Sequence, residues 1–438
     1  MEYKWSMFNY SFTYDKETII RNMFSESLVK IENETYYEID KNLSSAQNLD
    51  KQNQIVVEGL YEQGILVDKS ADEKSRYMNQ LEKDYINDDL LSLVIASTYA
   101  CNFNCLYCYE SGINRKLSFN KDDIVSIVDY VKRYIANNST IKRANLTLFG
   151  GEPTLNWNFF EELLPELNRF FKESNIAYTT SITTNGYLFT NKKADFLKQY
   201  NFKSIEVTLD GPNKIHNIRR PLSNGKETFD YIWKNIKYIL DNNILEHINL
   251  RINLSKDNYL FVDNLIEYIL RDYSPNKFKI SLGLVTDTIE ETNAQNEIDR
   301  IKLDKDNWPN VYLSLYKSLI SRGFEMEEFY SMDGYCLAKE KHSLIICPDK
   351  NIYRCLSMVG RDELKVGTLY KTTKYSNEYL NKGKLEKCFD KKCALIPVCL
   401  SGCCFESVIK FGSLNDIFCR KEEYDIINRE LCEVLYVK

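Results

Sequence analysis

The chain has 438 residues, which at roughly 150 per domain suggests about three domains or one large domain with additions. Hydrophobic and charged contents of 44% and 27% exclude a disordered chain, and 16 Gly with 8 Pro exclude collagen-like and low-complexity architectures. A net charge of −6 gives no field for holding nucleic acid. No apolar run approaches ~18 residues, and Met1-Glu2-Tyr3-Lys4-Trp5 lacks the form of a signal peptide, so no membrane span and a cytoplasmic location are expected.

In chain order, residues 1–90 carry short β-like segments (Met7–Thr13, Ile19–Met23, Leu28–Ile31), a helix over Gln54–Gln63 stopped by Gly64, and a strand at Ile65–Val67. A small α+β module of winged-helix type fits this order, and so does a plain N-terminal extension. From about 91 to 322, strand and helix patterns alternate. The strands are Leu91–Ser97, Asn145–Phe149, Tyr178–Thr184, Ser204–Leu209, Ile248–Leu254 and Phe278–Val285. The helices begin at Asn120 and cover Phe159–Phe171, Lys192–Tyr200, Phe229–Leu240, Phe261–Leu270 and Trp308–Leu319. Six strand–helix units imply a parallel sheet with right-handed crossovers. They are too few for an eight-stranded barrel and predict a partial (β/α)6 barrel with its chemistry at the C-terminal strand ends. Domain boundaries are expected near 1–90, 91–325 and 326–438, the last a cysteine-rich iron–sulfur domain.

Of 13 cysteines, three lie within Cys101–Cys108, ten lie after residue 335, and none lies between. An odd count without a signal sequence argues against a disulfide framework and for metal or redox chemistry. Cys101-x3-Cys105-x2-Cys108 follows strand one directly. Three thiolates in one loop can hold three irons of a [4Fe–4S] cluster and leave the fourth open. Zinc is the alternative, but it takes four ligands, and His216, His247 and His342 are all distant in sequence.

Further motifs sit at successive strand ends: Gly150-Gly151-Glu152-Pro153 after strand two, Thr184-Asn185-Gly186 after strand three, and Thr208-Leu209-Asp210-Gly211-Pro212 with His216 and Arg219 after strand four. Singly, each is more often a turn than a ligand site. In order, with the cysteine loop, they resemble the radical S-adenosylmethionine (SAM) superfamily over about residues 91–322. The resemblance implies a cluster that donates one electron to SAM, giving methionine and a 5′-deoxyadenosyl radical that abstracts a substrate hydrogen. It implies that Tyr107 lies against the adenine, that Gly150, Gly151 and Glu152 approach the SAM ammonium, and that Asn185, Thr208, Asp210 and Arg219 hold its remaining polar groups. Thr208 stands where the family has serine. For His216, a hydrogen bond at a helix start is the plainer role.

The run Cys393-x5-Cys399-x3-Cys403 with a later Cys419 resembles the SPASM domain of peptide-modifying radical SAM enzymes, which holds two auxiliary [4Fe–4S] clusters. Lys350 stands where that pattern has glycine in the hairpin before Cys355, four residues separate Cys388 and Cys393 instead of two, and Cys404 doubles Cys403. Carried across, the pattern gives one cluster to Cys336, Cys355 and Cys403, with Cys347 as a candidate fourth ligand or else an iron left open to a substrate thiolate, and the other to Cys388, Cys393, Cys399 and Cys419. Cys432, in an apolar helical stretch, is expected to be a core thiol. Two zinc sites are the alternative here.

The resemblance implies a maturase of a ribosomally made precursor peptide, forming a thioether or carbon–carbon cross-link. The first 90 residues would capture the leader by strand addition, and a flavodoxin or ferredoxin would be the reducing partner. The competing reading is an anaerobic sulfatase-maturating enzyme that makes formylglycine. An iron–sulfur electron-transfer protein without SAM chemistry would leave the strand-end motifs without a purpose.

Overall fold

The computed structural model describes residues 2–86, 89–285, 293–326, 336–371 and 382–436, arranged as two units. One unit holds residues 89–326 and 336–371; the other holds 2–86 and 382–436.

In the first unit, all six expected strands form within two residues of their predicted bounds: Leu90–Ala96, Arg143–Phe149, Ala177–Thr184, Phe202–Thr208, Ile248–Leu254 and Phe278–Leu284. They pair in sequence order, each parallel to the next, with a register shift at Thr180/Ser181. Helices connect them, and their apolar stripes make the outer core: Phe160, Leu163, Leu167 and Phe171, at helical spacing on Trp157–Glu173, are all fully buried. The strands contribute alternate residues to that core. On strand five, Ile248, Leu250, Ile252 and Leu254 are fully buried, whereas Asn249, Arg251 and Asn253 face the other way and are only partly buried. The sheet is an open partial barrel, as the six units predict.

The sheet continues past strand one. Ser343–Ile346 runs parallel to it, and Asn351–Tyr353 and Gly367–Thr368 add antiparallel strands, making ten in all with Glu325–Met326 at the far edge. The hairpin that carries Lys350 is therefore part of the barrel sheet. Lys350 has φ +68°, a left-handed conformation that glycine adopts freely. Its ammonium is tied down from both sides, 2.5 Å from Asp123 Oδ2 and 4.5 Å from the centre of the Phe119 ring.

The second unit holds an α+β module, residues 2–86, together with residues 382–436 of the cysteine-rich end. Asn9–Tyr14, Glu17–Asn22 and Leu28–Glu32 form an antiparallel sheet, and Tyr3–Trp5 pairs with Leu66–Asp68. Helix Lys51–Glu62 is capped by Asp50, whose side chain accepts from Asn53 N at 2.7 Å. Helices Asn33–Asn42 and Glu73–Ile86 are additions to the sequence reading. Ile20 on one sheet face packs with Ile39, Val57 and Leu60, with Val29 and Ile31 against the same cluster. On the other face, Tyr10 donates to the carbonyl of Asp425 at 2.7 Å, and Arg429 lies 5.7 Å from the Phe12 ring. Phe8, Tyr77 and Phe389 form an aromatic cluster that ties helix Lys382–Asp390 to the module. No helix among the described residues is long and apolar enough to cross a membrane.

Candidate functional site

The cysteine loop leaves strand one and is carried by strand two. Gly151 N donates to Thr98 O and Glu152 N to Ala100 O, both at 2.8 Å, extending the strand pairing up to Cys101. A Cβ on Gly150 would stand 2.5 Å from Thr98 O, and one on Gly151 2.5 Å from Ala100 O. These glycines therefore let two stretches of the chain's own backbone meet. The Glu152 carboxylate is fully buried and well supplied with donors. Its Oε1 accepts from Thr154 N at 3.0 Å, Thr154 Oγ1 at 2.5 Å and Thr184 Oγ1 at 2.7 Å, and its Oε2 accepts from Asn185 N at 2.7 Å. It pins the ends of strands two and three together. Asn185 Nδ2 donates to Asn102 Oδ1 at 2.8 Å, inside the loop itself.

The motif after strand four builds the opposite wall. Asp210 is fully buried, and its carboxylate accepts from the Tyr107 hydroxyl, from Arg219 Nε at 3.3 Å and from Asn253 N at 3.0 Å. Although burial pushes it upward, the Arg219 and Arg220 guanidiniums hold Asp210 below the usual carboxylate range. Arg219 is fully buried too: it donates to Asp210, to Ser255 Oγ at 2.6 Å, to Asp257 and to Asn253 O at 3.0 Å, with its guanidinium 4.9 Å from the Tyr107 ring centre. Thr208, at the end of strand four, is buried beside this network. His216 is buried, its Nδ1 accepts from Asp210 N at 3.3 Å, and burial pushes its pKa down to about 3. That is a structural bond at the head of its helix.

Several groups here escaped the sequence reading because they come from separate elements. Arg220 donates to the Tyr107 hydroxyl at 2.9 Å, lies 5.8 Å from the Phe103 ring and has an unpartnered buried Nε. Asn253 Nδ2 also donates to that hydroxyl, at 3.2 Å. Glu110, two residues past Cys108, is buried with Oε1 unpartnered, and burial pushes its carboxyl up to about 8.

The donor set suits an iron–sulfur cluster. Cys101, Cys105 and Cys108 are partly buried on one loop, and burial raises each thiol, Cys108 to about 12. Phe103 N donates to Cys101 Sγ at 3.4 Å, and Arg115 Nη2 to Cys108 Sγ at 3.5 Å. Donors aimed at sulfur favour thiolate ligands. Among the described residues, no three His, Cys, Asp or Glu side chains converge closely enough to hold a single metal ion. A zinc site would bring its sulfurs within roughly 3.8 Å of one another, from Zn–S bonds of about 2.3 Å.

The later cysteines divide between the units. Cys336 is exposed, Cys355 partly buried and Cys347 fully buried, all three in the barrel unit. Cys347 packs with Tyr99, Phe149, Ile345 and Tyr353, and its thiol is raised far above its ordinary value by burial and Asp349. In the other unit, Cys388 is raised to about 11 by burial and by the neighbouring sulfurs of Cys399, Cys393 and Cys419. The four cysteines that the resemblance assigns to one cluster thus all lie in the same unit. Gly402 has φ +89°, and its hydrogen faces Phe418 O where a Cβ would stand 2.4 Å away, which lets the Cys399–Cys403 turn lie against the residue before Cys419. Cys403 is exposed, whereas Cys404 turns into the core. Cys432 is fully buried, as expected of a core thiol.

Residues 95–265 match the family described as the radical SAM superfamily. The radical SAM cyclopropyl synthase TigE of Paramaledivibacter caminithermalis is 26% identical over 265 residues, covering 56% of this chain and 53% of that protein. This chain thus matches about half the length of TigE. A cysteine-type anaerobic sulfatase-maturating enzyme of Clostridium novyi is 25% identical over 382 residues, covering 80% and 97%. Among solved structures, anSMEcpe with bound AdoMet and Kp18Cys peptide shares the fold with a TM-score of 0.61 at 21% identity, covering 80% of this chain and 99% of its own. Streptococcus suis SuiB bound to precursor peptide SuiA does so with a TM-score of 0.53 at 16% identity, covering 96% and 99%. The segment of this chain that carries the cysteine loop after strand one and most of the six-unit partial barrel, residues 95–265, is a radical SAM domain.

Proposed function

We propose that this enzyme modifies a precursor peptide, forming a thioether or carbon–carbon cross-link. The observation that carries this reading is the α+β module of residues 2–86. The SuiB fold extends over 96% of this chain, whereas the anSMEcpe fold leaves a fifth of it uncovered, about the size of that module. Among the described residues, Leu28–Glu32 is an edge strand of the module's three-stranded sheet, paired with Glu17–Asn22, and a leader added there would extend the sheet.

When bound, SAM and a reduced [4Fe–4S] cluster supply a carbon radical that abstracts hydrogen from the substrate. Cys101, Cys105 and Cys108 hold that cluster, and the glycine pair with Glu152 fixes the loop that bears them. Tyr107, Asp210 and Arg219 lock the far side of the loop to strands four and five, and the walls between exclude water from the reacting atoms. Two auxiliary [4Fe–4S] clusters complete the set. Cys388, Cys393, Cys399 and Cys419 would hold one, and Cys336 and Cys355 of the barrel unit would serve the other. Cys347, fully buried among Tyr99, Phe149, Ile345 and Tyr353, is read as a core thiol.

Formylglycine formation on a sulfatase is the second reading, favoured by the C. novyi relative, whose sequence aligns over nearly its whole length. Deleting residues 1–86 tests both. Uncoupled 5′-deoxyadenosine formation should persist while modification of a leader-bearing precursor, read by mass, collapses. Equal modification by the truncated and intact enzymes would refute leader capture and favour the sulfatase reading.

A further inference from the structure

The inner wall of the barrel carries an arginine that the cofactor motifs do not use. Arg251 lies on the face of strand five that points away from the helices, beside Thr208 of strand four and Ser281 of strand six. Its Nε donates to Asn253 Oδ1 at 2.9 Å, and Asn253 in turn donates to the Tyr107 hydroxyl. One edge of the guanidinium is thus fixed to the network under the cysteine loop. The other end, Nη1 with Nη2, has no hydrogen-bond or ion-pair partner among the described residues.

The neighbouring strand is cut away to seat it. Gly283 faces Asn253 across strands five and six, and a Cβ there would stand 2.3 Å from Arg251 Nη2 and 2.7 Å from its Cζ. Any other residue at 283 would push the guanidinium from its place. A guanidinium held by Nε and open at both Nη groups presents two parallel donors, the geometry that takes a carboxylate end-on.

We infer that Arg251 is a specificity-determining residue that receives a carboxylate of the peptide substrate, an Asp or Glu side chain near the reacting residue. The assignment to substrate rests on the peptide-modifying reading above; Arg251 lies three residues inside the end of strand five, level with Thr208 of strand four. SAM's own carboxylate is the rival occupant.

The test uses the full, anaerobically reconstituted enzyme with SAM and two synthetic pools of cysteine-containing decapeptides. The pools are identical except that a fixed Glu in one is Gln in the other. Binding is measured by calorimetry and products by mass. The intact enzyme should bind the Glu pool roughly tenfold or more tighter, the yield of a charge-assisted hydrogen-bond pair. Arg251→Gln should remove the difference. So should Gly283→Val, which keeps the arginine but fills its seat and guards against a folding defect in the first variant. Equal affinity for the two pools, or binding of neither, overturns the inference whatever products form. So does a loss of SAM affinity in Arg251→Gln as large as the loss for the Glu pool, which would give the fork to SAM. Selective binding of the Glu pool without modification would leave the carboxylate site standing and count against the peptide-modifying reading alone.

Discussion

Gly151→Ala separates two roles for the Gly-Gly-Glu turn. The new methyl would stand 2.5 Å from Ala100 O and 2.6 Å from Tyr99 O, so the two backbones must part by about 1 Å to reach ordinary contact. That movement breaks the bonds from Gly151 N to Thr98 O and from Glu152 N to Ala100 O, at about 1 kcal/mol each. It also disturbs the donors around the buried Glu152 carboxylate, adding roughly 1–2 kcal/mol. A total of about 3–4 kcal/mol lowers the population of the closed cysteine loop by a factor of 100 or more. Reconstituted Gly151→Ala should therefore lose on the order of 4 Fe per chain, as Cys101/Cys105/Cys108→Ala should, while iron held by the later cysteines is kept. Iron content and the electron paramagnetic resonance of the reduced protein read this directly. Full iron with weakened SAM binding would mean that the glycines make room for a ligand; full iron with normal SAM cleavage would refute the steric argument.

Other consequences are open to measurement. Lys350→Ala keeps the left-handed φ but loses the Asp123 ion pair and the Phe119 contact, so it should destabilise by about 1–2 kcal/mol. Lys350→Gly removes that strain and should be nearly neutral; a urea midpoint for Gly as low as for Ala would contradict this. Burial holds the His342 pKa at about 4, below its ordinary 6.5, so the unfolded chain takes up the proton first as pH falls. Stability is whole above 6.5 and is lost between 6.5 and about 4, by at most about 3 kcal/mol. In His342→Gln the fall of urea midpoints over that window should be shallower, and an unchanged slope would exclude His342 as its source. Cys347→Ala should leave iron content and cluster spectra unaltered while lowering stability by about 1 kcal/mol; loss of iron would make Cys347 a ligand. Ser401, at φ +65° between Cys399 and Cys403, should tolerate Gly with a gain of up to about 1 kcal/mol in the iron-free chain, read by thermal melting.

The barrel was legible because a parallel sheet covered by helices needs short apolar strands between amphipathic helices, and both patterns are local. The cysteine loop was legible for a similar reason, since its three cysteines lie within eight residues. Helix Glu73–Ile86 escaped because it offers little apolar periodicity beyond Tyr77 and Leu81. Arg220, Asn253 and Arg251 escaped because polar residues on inner strand faces and loop ends carry no period. At Gly150 and Gly151 a Cβ would meet the chain's own carbonyls of Thr98 and Ala100, a long-range contact that no local pattern announces. Lys350 shows that a departure from the family pattern can keep the backbone demand. A lysine holds the glycine conformation because two neighbours hold the lysine.

The buried ion pair under the cysteine loop raises a different question, since such pairs seldom add net stability. Asp210 and Arg219 are both out of contact with solvent, and well-packed apolar residues in their place would be no less stable. What apolar residues could not do is join three elements at one point. The Asp210 carboxylate receives the Tyr107 hydroxyl from the cysteine loop, the guanidinium from helix Asn213–Arg219 and the amide of Asn253 from strand five. Arg219 repeats the pattern, reaching Ser255 and Asp257 beyond strand five. Each bond has a direction, so together they leave the loop one orientation against the strand ends. For chemistry that must place a reactive carbon within contact distance of a single hydrogen, that fixed orientation is worth more than added stability. Asp210→Asn should show the distinction. The amide offers one acceptor oxygen where three donors converge, so uncoupled SAM cleavage should fall well before the thermal midpoint does.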